Sequence, residues 1–160
     1  MRLLTEDLSE AERKILIDVD EHGVHIVHVP GDDGGAEYSF SIGLWHSFAH
    51  PEVVVFGLPA DVARELIDVI ATEVSHERKF DAGVEADDLI EGYRAQFLAV
   101  PHACHERFFG LARWAYEGDE FRVVQLVYPD QRGMMPWAAG VSEGFLMAQP
   151  VIGERDLGGS

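Results

Sequence analysis

Tyr38-Ser39-Phe40-Ser41-Ile42-Gly43-Leu44 is followed closely by Pro51-Glu52-Val53-Val54-Val55-Phe56-Gly57-Leu58-Pro59. In the first stretch Tyr38, Phe40, Ile42 and Leu44 alternate with Ser39, Ser41 and Gly43, the period of a half-buried strand. In the second, residues 53–58 have no polar face, which predicts a strand covered on both sides. Pro59 then opens a helix over 60–76. Ala63, Leu66, Ile67, Ile70 and Val74 form its apolar stripe, and Asp61, Arg64, Glu65 and Asp68 face water. Strands of both kinds beside an amphipathic helix predict a layered α and β fold.

Toward the N-terminus, residues 9–22 read as a helix. Ser9 and Glu12 have capping-box spacing, Ala11, Ile15, Leu16 and Val19 share one stripe, and Gly23 is the stop. An extended run over 24–29 ends at Pro30 and the glycine-rich turn 31–35, a hairpin loop. Toward the C-terminus, 89–100 reads as extended, 105–117 as an aromatic-rich helix and 121–128 as a second apolar strand. Prolines and glycines keep 129–140 irregular, yet Met134, Met135 and Trp137 offer apolar area, so this segment should order over the sheet. The expected fold class is α+β. We expect one domain over 1–152, a mostly antiparallel or mixed sheet with two to three helices, and a flexible tail over 153–160.

Twelve Lys and Arg against 29 Asp and Glu give the 160-residue chain a formal charge of −17. No basic run exceeds two residues, so neither nucleic acid nor an anionic membrane is an expected partner. No apolar run approaches the roughly 20 residues of a membrane span, and the start turns acidic at once, unlike a secretory leader. A single cysteine, Cys104, excludes an internal disulfide and fits a reducing, cytoplasmic setting. The acidity leaves two readings: charge that keeps molecules apart, or a surface for a basic protein partner.

Taken together, the stretch 38–44, His46, residues 51–59, Val127-Tyr128-Pro129-Asp130, Gly133 and Pro136-Trp137 is similar to a bacterial family of the domain of unknown function 4262 type. The resemblance spans roughly 20–140 and implies a small α/β protein. It implies no reaction, and so carries no catalytic assignment. Tyr128 stands where the family often has Trp.

Chemistry must therefore be sought residue by residue. His22, His25 and His28 cannot share one strand face, so they make a poor metal site. His46 and His50 bracket a connection that could aim both at a pocket, where hydrogen-bonded loop histidines are the plainer reading. His102, Cys104 and His105 are the densest set of ligand types, a weak metal candidate because zinc needs three or four ligands of fixed geometry. Cys104 as an activated thiolate competes with Cys104 as a small buried hydrophobe. Glu52 and Asp130 are carboxylates at strand ends, positions that often line pockets. Two functions follow. One is a non-catalytic acidic interaction domain, immunity- or antitoxin-like, binding a basic protein. The alternative is a small-molecule-binding domain or enzyme with a pocket of Tyr38, His46, His50, Asp130 and Trp137, with or without a metal. No cofactor is specified.

Overall fold

A computed structural model describes residues 1–33 and 35–155. In chain order it contains α1 (Glu10–His22), β1 (His25–Val29), β2 (Tyr38–Ile42), α2 (Leu44–Phe48), β3 (Glu52–Phe56) and α3 (Ala60–Ser75). There follow β4 (Glu85–Ile90), β5 (Tyr93–Ala99), a 3-10 turn (His102–Cys104), α4 (His105–Phe108), α5 (Gly110–Tyr116), β6 (Val123–Val127) and α6 (Glu143–Ala148). The strands form one mixed sheet in the order β1-β2-β3-β6-β5-β4. β3 and β6 run parallel; the other neighbours are antiparallel. The fold is α+β.

The apolar run of β3 explains the layering. Val53 and Val55 pack under α3 with Val124, Leu126 and Phe97. Val54 and Phe56 face the other way, toward α1 and α5, with Phe40, Phe109 and Phe121. A strand buried on both faces needs a helix layer on each side, and α1 and α3 supply the long ones. Ser9 and Glu12 close the expected capping box on α1, and Gly23 ends that helix in the left-handed region.

β2 differs from expectation. Ser39 and Ser41 are fully buried, not solvent-facing. Their hydroxyls find partners inside, Ser39 with His28 Nδ1 at 2.7 Å and Ser41 with Glu52 at 2.7 Å, so burial costs little. The strand stops at Gly43, whose φ of +119° and 2.6 Å from an added Cβ to the Gly23 carbonyl leave no room for a side chain. Leu44 then begins α2 instead of extending the strand.

Among the described residues six helices replace the expected two or three because α2, α4 and α6 are too short to show a periodic stripe. The expected helix over 105–117 is broken at Phe109, which turns fully inward onto Phe40, and Gly110 restarts it. Residues 89–100 divide at a turn into the end of β4 and all of β5. β4 lacks a hydropathy signal: Ala86 is buried while Glu85, Asp87 and Asp88 are exposed, as suits an edge strand that must not recruit another.

Residues 129–140 form a succession of turns without a helix or strand. Asp130 Oδ1 accepts from the Arg132 and Met134 backbone N–H groups, both at 2.9 Å, and Pro136 is buried, though Met134 stays exposed. The expected tail does not start free. Gln125 of β6 accepts from Ile152 and Gly153 N–H, and Glu154 N–H donates to the Ala99 carbonyl at 2.8 Å. Residues 156–160 of that tail lie outside the described residues.

Candidate functional site

The five residues expected to wall one pocket do not converge. Tyr38 lies in the core beside Phe56 and Phe108, and its hydroxyl donates to the Phe108 carbonyl at 2.8 Å. His46 is exposed on α2, beside a cleft shared with Met1, Leu16 and Asp20. His50 is buried: Nδ1 donates to the Pro51 carbonyl at 2.7 Å, and Nε2 accepts from the Phe80 N–H at 2.9 Å. That pair of bonds fixes a neutral tautomer and occupies both nitrogens. Trp137 lies under the Arg155 guanidinium, 4.5 Å away, beside a cleft with Leu146 and Val151. The topology explains the scatter. His46 and His50 precede β3 while Asp130 follows β6, so they stand at opposite ends of a parallel pair. A five-residue strand separates such ends by about 16 Å.

His102, Cys104 and His105 do not assemble a metal centre either. The 3-10 turn and α4 leave His102 exposed, place Cys104 half-buried against the aromatic core, and bury His105 completely. Among the described residues no group of three or more His, Cys, Asp and Glu is placed to hold a metal. His105 stacks on Phe121, with ring centres 4.4 Å apart, and neither ring nitrogen finds a hydrogen-bond partner among the described residues. Asp119 lies 3.7 Å from Nδ1, beyond bonding reach.

Burial pulls both His50 and His105 below the ordinary imidazole range. As pH falls from 7, the unfolded chain therefore takes up protons that the folded chain resists. Stability is lost as pH drops through the unfolded value near 6.5 toward the lower folded ones, by about 1.4 kcal/mol per histidine for each unit of depression. The urea midpoint should fall between pH 7.5 and 5.5. His105→Phe, which removes no made hydrogen bond, should flatten that slope; an unchanged slope would show that His105 stays outside the transition.

Glu52 is the polar centre that strand-end reasoning misjudged. It is 1% exposed, inside the fold. Oε1 accepts from Ser41 Oγ at 2.7 Å and Leu44 N–H at 3.1 Å; Oε2 accepts from Gly43 and Trp45 N–H at 3.0 and 3.1 Å. The Tyr116 hydroxyl also donates to Oε2. Burial pushes the Glu52 carboxyl above its ordinary range, and those donors, Tyr116 first, pull against it. The cluster ties the β2–α2 corner to β3 and α5, leaving no face of the carboxylate for a substrate.

A serine–histidine–carboxylate chain occurs elsewhere. Ser39 Oγ meets His28 Nδ1, and His28 Nε2 lies 3.3 Å from Glu37. Ser39 is fully buried between neighbouring strands, so its hydroxyl is not presented to a substrate. It joins β1 to β2.

One concave site lies at the carboxyl end of the β3–β6 pair, where loops leaving parallel strands diverge. A cleft of about 390 Å³ lies between α3 and the β4–β5 hairpin. Leu58, Leu66, Leu89 and Ile90 give it apolar walls, Tyr93 and Tyr128 supply rings, and Asp130 stands beside them. Val62 and Val69 of α3, also in its wall, are 46% and 43% exposed, high for valines on a core helix. Tyr128 is held rigidly. Its hydroxyl donates to the Phe56 carbonyl at 2.7 Å, and its backbone exchanges two bonds with the Gln149 side chain. Burial and the nearby Glu37 push its phenol up to about 12, so it is neutral at physiological pH. Gly57 is required here: φ is +84°, and a Cβ would stand 2.6 Å from the Tyr128 hydroxyl.

Of the expected pocket residues only Asp130 belongs to this cleft. The sequence signal that could have found the rest is the pair of stretches 57–59 and 127–130, each a strand end running into proline, and the two meet here. A family model for a domain of unknown function, DUF4262, matches residues 18–142. No curated protein and no solved structure matches the chain.

Proposed function

The chain belongs to the DUF4262 family, and we propose that this member is a non-catalytic binding domain whose ligand occupies the cleft between α3 and the β4–β5 hairpin. One observation carries the reading: a mostly apolar cleft of ligand size, walled by the firmly held Tyr128 and over-exposed valines, lies where the parallel pair ends. The polar clusters elsewhere, around Glu52 and Ser39, are buried and spent on joining elements. A reducing bacterial cytoplasm is part of the proposal, supported by the unpaired Cys104. A basic protein partner is the second reading. It draws on the −17 charge and on the exposed acids of edge strand β4, although Asp88 and Glu85 already pair with Arg78 and Arg94.

The test is an amide-resolved NMR titration with a neutral fragment, 4-phenylbutan-1-ol. Shifts should concentrate at Leu58, Val62, Tyr93, Tyr128 and Asp130. The Kd should be on the order of 1 mM, as about 0.3–0.4 kcal/mol per heavy atom gives. Val62→Trp, a substitution at an exposed wall position, should fill the cleft and weaken binding at least tenfold. Shifts scattered over the surface, no shifts, or equal binding by Val62→Trp would refute the assignment.

A further inference from the structure

The charge of the cleft is one-signed. Glu65 and Glu91 line it with Asp130, and among the described residues no Lys, Arg or His does. Neither the Glu65 nor the Glu91 carboxylate has a hydrogen bond or ion pair among the described residues, although their chain contains twelve Lys and Arg. Asp130 is nearly buried, its side chain 14% exposed. Its Oδ1 is used by two backbone N–H groups, and Oδ2 has only the Arg132 guanidinium at 3.6 Å. That guanidinium donates at 2.8 Å to the Gly140 carbonyl. The rings of Tyr93 and Tyr128 line the same cleft, and aromatic faces attract cations as well as apolar groups. An anionic ligand would meet the unpaired carboxylates of Glu65 and Glu91, both exposed at the rim, and a neutral one would leave them uncompensated.

We infer that the ligand of this cleft is a small organic cation, an apolar aliphatic or aromatic body bearing a protonated amine or quaternary ammonium. The body lies between α3 and the hairpin, and the head group faces Glu65, Glu91 and Asp130. This inference rests on the cleft being the binding site. The apolar walls set the affinity, and the acidic rim sets the charge class.

The experiment compares three probes of one skeleton, 4-phenylbutan-1-amine, 4-phenylbutan-1-ol and 4-phenylbutanoate, by the same NMR titration at low ionic strength. The amine should bind at least tenfold tighter than the carboxylate, with the alcohol between them. Raising salt to 0.5 M should shrink the ratio to about threefold or less, since the rim is open to counterions. The preference should collapse in Glu65→Gln/Glu91→Gln, while binding of the alcohol persists. It should survive in Asp20→Asn/Glu21→Gln, which removes the same net charge from the exposed end of α1. Equal binding of all three, or a preference that survives loss of Glu65 and Glu91, overturns the charge class and leaves the cleft itself standing. No binding by any probe overturns both. A concentration-dependent dimer that excludes the probes would give the cleft to a second copy of the chain, and would also overturn the inference.

Discussion

Glu52→Ala should lower stability by about 3–5 kcal/mol, because several buried donors are left unsatisfied at about 1–3 kcal/mol each and rearrangement relieves only part of that. Five donors converge on that carboxylate: the Gly43, Leu44 and Trp45 N–H groups and the Ser41 and Tyr116 hydroxyls. Without it, the first turn of α2 loses the acceptor for its unsatisfied N–H groups in a region closed to water. Glu52→Gln keeps the shape and one oxygen but aims an NH2 group at donors. It should fall between wild type and alanine, at about 2–3 kcal/mol. Urea titration of the three proteins measures this. A loss below about 1 kcal/mol in the alanine variant would mean that water or a shifted backbone replaces the carboxylate without difficulty.

The second large effect is expected at Phe56, 1% exposed at the end of β3. Its ring lies 5.0 Å from Tyr38 and 5.6 Å from Phe108, centre to centre, so truncation empties a site bounded by rings that cannot easily collapse. Phe56→Ala should cost about 3–5 kcal/mol through combined transfer and cavity terms. It should also perturb the cleft, because the Phe56 carbonyl holds the Tyr128 hydroxyl at 2.7 Å. The check is the denaturation midpoint together with the Tyr128 amide shift. A cost below about 1 kcal/mol would contradict the placement of Phe56 in the interior.

These two sites differ in how far residue order reveals them. Phe56 ends an apolar run with no polar face, and interior placement follows from the pattern, since such a strand cannot satisfy an aqueous side. Glu52 begins the same run, and nothing local separates a pocket carboxylate from a buried one. Its partners come from β2, the α2 corner and, 64 residues away, Tyr116. His50 is a similar case, because the bond that fixes its tautomer comes from Phe80, 30 residues on.

Residue order by itself determined the α+β class, the capping of α1, the extent of α3 and the interior position of β3. Each rests on local periodicity or on a cap within a few residues, and solvent enforces those preferences wherever the chain goes. The tertiary structure alone decided that Ser39 and Ser41 are buried, that the expected pocket residues separate to opposite ends of the sheet, and that the cleft forms where residues 57–59 meet 127–130. Those outcomes depend on β3 and β6 lying parallel although more than 60 residues separate them. Side chains far apart in sequence become neighbours only through that pairing, and no local propensity encodes it.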